Sequence, residues 1–306
     1  MFNPDKQLKT PNYLKMEPEE RKKRSDQFYR IMNRCTICPH QCRVNRLQGE
    51  TGRCRVTEDL IISSAGPHFG EERELVGPGG SGTIFFVNCN LDCVYCQNWT
   101  ISTGLDTDRI SSIDELARIM IHLQERGCSN INLVSPTPYL YHITAAIDKA
   151  ANEGLRLPVV YNCGGYESVG SLKLLEGFID IYMPDAKYGS DETAETYSGA
   201  KNYYTCLKEA LKEMQRQVAD LETGPEGVAY RGLLLRHLVL PEGISGSEEV
   251  ARMLAEEVSP NTAVNVMAQY YPSHKAGEYP PLRRQISSSE FSAAREAFRK
   301  AGLRLL

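Results

Sequence analysis

Three cysteines in one short stretch are the residues of this sequence best suited to chemistry. Cys89, Cys93 and Cys96 are separated by three and by two residues. Thiolates hold iron–sulfur clusters, and a cubane cluster normally takes four of them. A stretch that supplies only three leaves one iron without a protein ligand, much as a catalytic zinc site keeps one coordination position free. Such an iron can bind and reduce a substrate, instead of only passing electrons on.

The elements around these cysteines place them where catalytic groups are expected. The apolar and β-branched run from Thr83 to Val87 predicts a buried strand that ends just before them. They therefore follow the carboxyl end of a strand, where α/β barrels keep their active sites. A zinc knuckle or two structural cysteines would need neither this placement nor the aromatic residue, Tyr95, before the last cysteine.

The pattern CxxxCxxC with an aromatic residue before the last cysteine resembles the signature of the radical S-adenosylmethionine (radical SAM) enzymes. The resemblance implies that Cys89, Cys93 and Cys96 hold a [4Fe–4S] cluster whose open iron binds S-adenosylmethionine, with Tyr95 at the cofactor. It also implies that one electron splits a carbon–sulfur bond to give a 5′-deoxyadenosyl radical, which abstracts hydrogen from a substrate. A flavodoxin or ferredoxin is the implied reductant.

From Thr83 onward, predicted strands alternate with predicted helices, which is the pattern of a parallel sheet. A long helix is predicted over residues 191–220, and strands are predicted at 83–87, 131–134, 158–161, 179–183, 233–240 and 263–267. Six units are two short of a closed barrel, and the resemblance implies a six-unit partial barrel. The predicted fold is α/β, with a partial (β/α)6 TIM-type barrel at 81–306 and a small cysteine-rich metal-binding segment within 1–80.

The N-terminal segment has four cysteines of its own. Two, three and eleven residues separate Cys35, Cys38, Cys42 and Cys54. In a cytosolic chain this set predicts a metal site more readily than disulfides. Zinc and a second iron–sulfur cluster both fit four thiolates, and the sequence does not choose between them. Because little apolar surface is available there, a structural role for the metal is favoured.

Residues that follow the predicted strands would face the barrel's active site. Asn162, after the third strand, is a candidate for the ribose or carboxylate of the cofactor. Asp185 and Lys187, after the fourth, resemble the DxK motif of glycyl-radical-enzyme activating enzymes, whose lysine contacts the cofactor's carboxylate. Residues 135–138 depart from the Gly-Gly-Glu with which many family members hold the cofactor's amino group.

The fifth predicted strand carries Arg236 and His237. Neighbouring side chains of a strand point to opposite faces, so at most one of them enters the barrel. We predict that His237 contacts the cofactor. The sequence assigns no catalytic residue. After the sixth strand, a polar and aromatic group suited to lining a pocket comprises Gln269, Tyr270, Tyr271 and His274.

Composition sets broad limits on partners and location. The 306 residues carry a net charge of −4, which gives no general attraction to nucleic acid or to an anionic membrane. No stretch approaches the roughly 18 apolar residues that cross a bilayer. The first ten residues lack the apolar segment of a signal peptide. These features predict a cytoplasmic protein.

Three functional hypotheses follow. The first is a radical SAM enzyme acting on a protein, peptide or small molecule, similar from about residue 35 onward to the pyruvate formate-lyase activating enzyme-like group. An activator of a glycyl radical enzyme is one form of it. The second is an iron–sulfur electron-transfer protein, which would not explain the barrel. The third is a zinc-stabilised interaction module, which would not explain the aromatic residue among the cysteines.

Overall fold

The computed structural model of the protein describes residues 9–104 and 109–306. Its α-helices are α1 (Pro18–Met32), α2 (Trp99–Ser102), α3 (Ile113–Glu125), α4 (Leu140–Asn152), α5 (Val169–Leu175), α6 (Asp191–Ser198), α7 (Tyr203–Val218), α8 (Ser247–Met253) and α9 (Ser288–Lys300). Its strands are β1 (Leu60–His68), β2 (Ser81–Phe86), β3 (Ile110–Ser111), β4 (Ile131–Val134), β5 (Val159–Cys163), β6 (Ile181–Pro184), β7 (Glu222–Thr223), β8 (Ala229–Leu238), β9 (Ala263–Met267) and β10 (Arg304–Leu305). No helix in these ranges is long and apolar enough to cross a membrane.

The strands form one open sheet in the order β10-β9-β8-β6-β5-β4-β2-β1-β3, with β7 paired to β8. All neighbours from β2 to β10 in this order run parallel. Strand β1 is antiparallel to both β2 and β3. The six predicted strands are confirmed as β2, β4, β5, β6, β8 and β9. Because the sheet does not close on itself within the described residues, the α/β fold is a partial barrel.

The register of the parallel strands decides which side chains enter the barrel. Val160, Ile181 and Leu234 belong to an apolar cluster that is separate from the main core. Side chains two positions apart along a strand share a face. Asn162 and Arg236 therefore lie on the same face as this inner cluster, at the carboxyl ends of β5 and β8.

The long helix predicted over residues 191–220 is wrong, because the structure has two helices there. Helix α6 ends at Gly199, which has a φ of +61°. A glycine in the left-handed region is a common helix terminator because it has no Cβ to strain. Asn202, with a φ of +54°, precedes α7. The break matters for the site, because the end of α6 contacts the cysteines after β2.

The N-terminal residues share the main core of the barrel. Tyr13, Phe28 and Met32 are fully buried and belong to the same apolar cluster as the helices around the sheet. On helix α1, the buried Arg21 pairs with Asp148 of α4 at 2.6 Å. Helix α1 thus packs against α4 and holds the N-terminal part of the chain against the barrel.

Candidate active site

The three predicted cluster ligands lie in a loop between β2 and α2, which we call the cysteine loop (residues 87–98). Its first residue, Val87, donates a backbone hydrogen bond to Ile61 of β1 at 3.1 Å. Further along, the amide of Asp92 donates to the carbonyl of Ser198 at the end of α6, at 3.2 Å. The loop is therefore fixed on one side by the sheet and on the other by a helix end.

Each thiol of the cysteine loop has a hydrogen-bond partner. The pairs are Cys89 Sγ with the Leu91 amide (3.4 Å), Cys93 Sγ with Ser198 Oγ (3.0 Å) and Cys96 Sγ with Ser102 Oγ (3.3 Å). Hydrogen bonds to a sulfur favour its ionised form, which is the form that binds a metal.

The electrostatics of the thiols connects them to one another and to Lys187. Burial, together with the neighbouring thiols of Cys93 and Cys96, raises the pKa of Cys89 to about 12. Burial likewise raises the pKa of Cys93 to about 11. The Lys187 ammonium works in the opposite direction on both thiols. The Lys187 ammonium therefore favours the ionised form of both thiols.

The arrangement fits an iron–sulfur cluster better than a single metal ion. No three His, Cys, Asp or Glu side chains in residues 9–104 and 109–306 converge as ligands of one ion. In a [4Fe–4S] cluster each thiolate binds a different iron, so the sulfurs surround the cluster without sharing an ion. Cys89, Cys93 and Cys96, separate thiols of one loop beside a cation, are compatible with that requirement, and a cluster held by them would have one iron without a protein ligand.

A largely buried ion cluster of Asp185, Lys187 and Arg236 lies where β6 and β8 end. Lys187 Nζ is 2.7 Å from one Asp185 oxygen, and Arg236 Nε is 2.8 Å from the other. Arg236 also donates to Asn162 Oδ1 at 2.7 Å. The structure thus brings together three residues predicted for the cofactor, namely Asn162, Asp185 and Lys187, and adds Arg236 to them.

The charges of this ion cluster stabilise one another. Burial alone would raise the pKa of Asp185, but Arg236 and Lys187 hold it below its usual value. Burial alone would lower the pKa of Lys187, but Asp185 raises it above its usual value. All three side chains therefore stay ionised at neutral pH.

Two glutamates that the sequence analysis did not identify reach the same cation. Arg236 lies 3.6 Å from a Glu71 oxygen and 4.0 Å from a Glu72 oxygen. Glu72 also accepts a hydrogen bond from Asn265 of β9 at 3.0 Å. Burial and the neighbouring Glu72 raise the pKa of Glu71, which Arg236 partly counteracts. In the sequence, these two glutamates are part of an ordinary charged run, residues 71–74, which gives no sign of a contact with Arg236.

The predicted cofactor contact of His237 is corrected by the structure. His237 points to the outer face of β8, where Nδ1 lies 2.7 Å from the Ala186 carbonyl and Nε2 lies 2.9 Å from Ser247 Oγ. Its ring packs against Phe298 at 5.0 Å. Burial lowers its pKa to about 4, so that it is a neutral core histidine. Arg236 is the member of the pair that faces the site.

Tyr95 is buried in the cysteine loop, with its ring edge-on to Tyr188 at 6.3 Å and to Tyr270 at 6.0 Å. Of the residues predicted to line a pocket after the sixth strand, Gln269 and Tyr270 contact this loop and His274 contacts α2 directly after it. The contacts are Gln97 Nε2 with the Gln269 carbonyl (3.0 Å), Trp99 stacked on His274 (5.5 Å), and the Lys275 amide with the Val94 carbonyl (2.8 Å). The segment after β9 therefore closes one side of the loop.

Two glycines allow the cysteine loop to approach the strand ends. A Cβ on Gly164 would lie 2.5 Å from a Leu91 methyl carbon and 3.7 Å from Lys187 Cε. Gly165 has a φ of +77°, and a Cβ there would lie 2.5 Å from the Asp185 carbonyl oxygen. Larger residues would separate Leu91 from the ion cluster. The cysteine loop and the ion cluster are thus two sides of one site.

The four-cysteine segment (residues 35–56) also contacts the cysteine loop. Its four thiols line one small pocket. His40 Nε2 lies 2.8 Å from the Asn90 carbonyl oxygen. Arg53 and Arg55 both pair with Asp92, at 2.8 and 3.0 Å. The N-terminal segment therefore supports the loop from its solvent side.

This support predicts a measurable effect of Asp92→Ala, which removes both arginine pairs. Partly exposed ion pairs each contribute up to about 1 kcal/mol. We therefore expect a normal cluster content but an up to roughly tenfold faster loss of iron to a chelator, followed by absorbance near 400 nm. Asp114→Ala, which removes the exposed pair with Lys149 on helices α3 and α4, is the matched control. Equal rates for the two variants would show that Asp92 does not support the loop.

Comparisons with known proteins agree with the site. Residues 83–225 match the radical SAM superfamily. The whole chain is 34% identical over 314 residues to Uncharacterized protein MJ0674 of Methanocaldococcus jannaschii, covering 100% of this chain and 83% of that protein. The partial barrel with its three-thiol loop and these matches define the class, and the chain belongs to the radical SAM superfamily. Membership implies an enzyme with a [4Fe–4S] cluster and S-adenosylmethionine.

Two solved structures are similar at low sequence identity. A radical SAM methyltransferase from Sphaerobacter thermophilus is 14% identical with a TM-score of 0.46, over 74% of this chain and 65% of that chain. HydG, a maturase of the [FeFe]-hydrogenase, is 13% identical with a TM-score of 0.47, over 95% of this chain and 63% of that chain. The protein spans less than two thirds of either structure, and their activities are properties of those proteins.

Proposed function

We propose that this protein cleaves S-adenosylmethionine reductively and abstracts hydrogen from a protein, peptide or small-molecule substrate. The observation that supports this best is that the three-thiol loop and the largely buried ion cluster lie on either side of Gly164. Lys187 influences the thiols of Cys89 and Cys93 electrostatically and lies beside Gly164, against which Leu91 packs. A ligand bound at an open iron of the loop would therefore meet a fixed ammonium group.

Each part of the site has a role in this proposal. Cys89, Cys93 and Cys96 would hold the [4Fe–4S] cluster, which supplies the electron that breaks a carbon–sulfur bond of the cofactor when both are bound. Lys187 would bind the cofactor's carboxylate, and the Asp185 carboxylate holds the ammonium in place. Asn162 Oδ1, which already accepts a hydrogen bond from Arg236, would orient the guanidinium or a ribose hydroxyl.

The pair Asp185 and Lys187 supports a finer proposal, in which the substrate is a glycine of a partner enzyme. The pair resembles the DxK motif of activating enzymes, and its two side chains form a direct ion pair in the barrel. The four-cysteine segment, which the smallest activators lack, favours instead a peptide or metabolite substrate. In both forms a flavodoxin or ferredoxin would supply the electron.

The proposed cleavage of S-adenosylmethionine can be tested by measuring its products with protein reconstituted in the absence of oxygen. We expect an absorbance near 400 nm, as thiolate-bound [4Fe–4S] clusters give. We also expect 5′-deoxyadenosine and methionine in equal amounts when reductant and S-adenosylmethionine are present together, and neither when reductant is omitted. Protein with a full iron content that forms no 5′-deoxyadenosine would fit the electron-transfer hypothesis and overturn this one.

A further inference from the structure

One sulfur of the cysteine loop accepts a hydrogen bond from a buried hydroxyl group of a distant part of the chain. Ser198, the last residue of α6, donates from Oγ to Cys93 Sγ at 3.0 Å. Ser198 is fully buried. The thiols of Cys89 and Cys96 have their partners within six residues along the chain. The contact at Cys93 is therefore the one that depends on the packing of α6 against the loop.

A second hydroxyl group fixes the direction of this hydrogen bond. Tyr188 Oη lies 2.6 Å from Ser198 Oγ, and Tyr188 is also fully buried. A thiolate accepts hydrogen bonds and has none to donate, so the single proton of Ser198 points at Cys93 when that sulfur is ionised. The Tyr188 hydroxyl must then donate to Ser198 Oγ. The two hydroxyl groups thus form a chain in which both protons point toward the sulfur.

Backbone contacts hold the end of α6 against the cysteine loop. The Asp92 amide donates to the Ser198 carbonyl at 3.2 Å, and the Val94 amide donates to the Tyr197 carbonyl at 2.9 Å. The two amides flank Cys93 on both sides. Ser198 can therefore move away from the sulfur only if these backbone hydrogen bonds break, and its hydroxyl is preorganised as a donor.

A hydrogen bond to a thiolate that binds an iron–sulfur cluster affects the two redox states unequally. Reduction adds negative charge to the cluster and its sulfurs, so a donor at a sulfur stabilises the reduced form more than the oxidised form. Hydrogen bonds to the sulfurs are accordingly among the factors that set the reduction potential of such clusters. In a buried site the effect is strengthened by the low local dielectric, and a second donor behind the first polarises it further.

We propose that the hydrogen-bond chain from Tyr188 through Ser198 to Cys93 raises the reduction potential of the cluster held by the cysteine loop. Ser198 acts on the sulfur directly, and Tyr188 is a positioning residue that acts through Ser198. The inference rests on the proposed function in one respect, since it requires a cluster at Cys93. Tyr188 follows Lys187 directly in the chain. The segment that would bind the cofactor's carboxylate therefore also adjusts the cluster that would reduce the cofactor.

Redox titration of the reconstituted protein tests the proposal, with the midpoint potential followed by the cluster absorbance near 400 nm. Ser198→Ala should keep the wild-type iron content and shift the reduction equilibrium about tenfold toward the oxidised form, which is about 59 mV for one electron. Tyr188→Phe, which leaves the Ser198 hydroxyl in place, should give a smaller shift in the same direction. Thr196→Ala is the matched control, because it removes an exposed hydroxyl of the same helix that donates to the Glu192 carbonyl. Its midpoint potential should equal that of the wild type.

Equal midpoint potentials for Ser198→Ala and the wild type would overturn the proposal, as would a shift toward easier reduction. If Ser198→Ala assembles no cluster, Tyr188→Phe decides the question, and an unchanged potential of that variant would contradict the proposal. The proposed function fails separately, because potentials can be measured on iron-loaded protein whether or not it forms 5′-deoxyadenosine. A wild type that binds no iron would overturn both.

Discussion

Replacing Cys89, Cys93 and Cys96 together by alanine should abolish 5′-deoxyadenosine formation completely while leaving the protein folded. The three thiols lie in a loop past the end of β2, and their hydrogen bonds are to Asn90, Leu91, Ser198 and Ser102. Their removal therefore takes little from the core. It would remove every protein ligand of the proposed cluster, whose remaining iron would be open to the cofactor.

The measurement combines three readouts on anaerobic protein: iron content, circular dichroism and 5′-deoxyadenosine after addition of reductant. About four irons per chain should be lost with the secondary structure unchanged. Cys206→Ala is the matched control for thiol removal and should behave as the wild type. Product at the wild-type level from the triple variant would contradict the assignment of the cysteine loop as the catalytic cluster site.

The strands and the cysteine loop around this site can largely be predicted from the sequence, because they depend on patterns within short segments. The runs that form β2, β4, β5, β6, β8 and β9 each have an apolar stretch, and helices or turns separate them. The cysteine spacing is a property of one loop. Asn162, Asp185 and Lys187 could be placed together because parallel strands bring their carboxyl ends to one edge.

The choice between Arg236 and His237 could not be made in the same way. The choice depends on which side chains of β8 point to the inner face of the sheet. A shift of one residue in the strand register would exchange the faces of Arg236 and His237. The observed register pairs Arg236 with Asn265 of β9. That pairing sets Arg236 toward Asp185 and His237 toward the outer helices. No local pattern in residues 233–240 contains this information.

Two further features depend on tertiary contacts between distant segments. Glu71 and Glu72 reach Arg236 from the segment between β1 and β2, which is more than 160 residues earlier in the chain by their numbering. Arg46 stands out only in the structure, where its terminal nitrogens are buried beside four thiols and have no hydrogen-bond partner within residues 9–104 and 109–306. In the sequence each of these residues is an ordinary charged residue of a loop.

The second large effect is expected for Lys187→Ala, which should weaken the binding of S-adenosylmethionine about ten- to a hundredfold. A charge-assisted hydrogen bond to a carboxylate is worth about 1.5–3 kcal/mol, which corresponds to this range. The side chain of Lys187 is only 16% exposed, and Asp185 holds its ammonium at 2.7 Å. A carboxylate bound at the cysteine loop would thus meet the Lys187 ammonium already held in position by Asp185.

The fold should tolerate this change, because Asp185 keeps its contact with Arg236 at 2.8 Å. Iron content should therefore stay at the wild-type value. Lys187→Arg should restore affinity only in part, since a planar guanidinium does not replace a compact ammonium beside Gly164 and Leu91. Lys149→Ala, which removes an exposed lysine paired with Asp114 at 2.8 Å, controls for the loss of one positive charge.

Titration of the reconstituted variants with S-adenosylmethionine, followed by the spectral change of the cluster, gives the affinities. We expect the wild type and Lys149→Ala to bind S-adenosylmethionine most tightly. Lys187→Arg should bind it more weakly, and Lys187→Ala most weakly. If Lys187→Ala bound the cofactor as tightly as the wild type, the Lys187 ammonium would only stabilise the ion cluster with Asp185 and Arg236. Another cation of the barrel would then have to bind the cofactor's carboxylate. Arg236, at the carboxyl end of β8, is a candidate for this role.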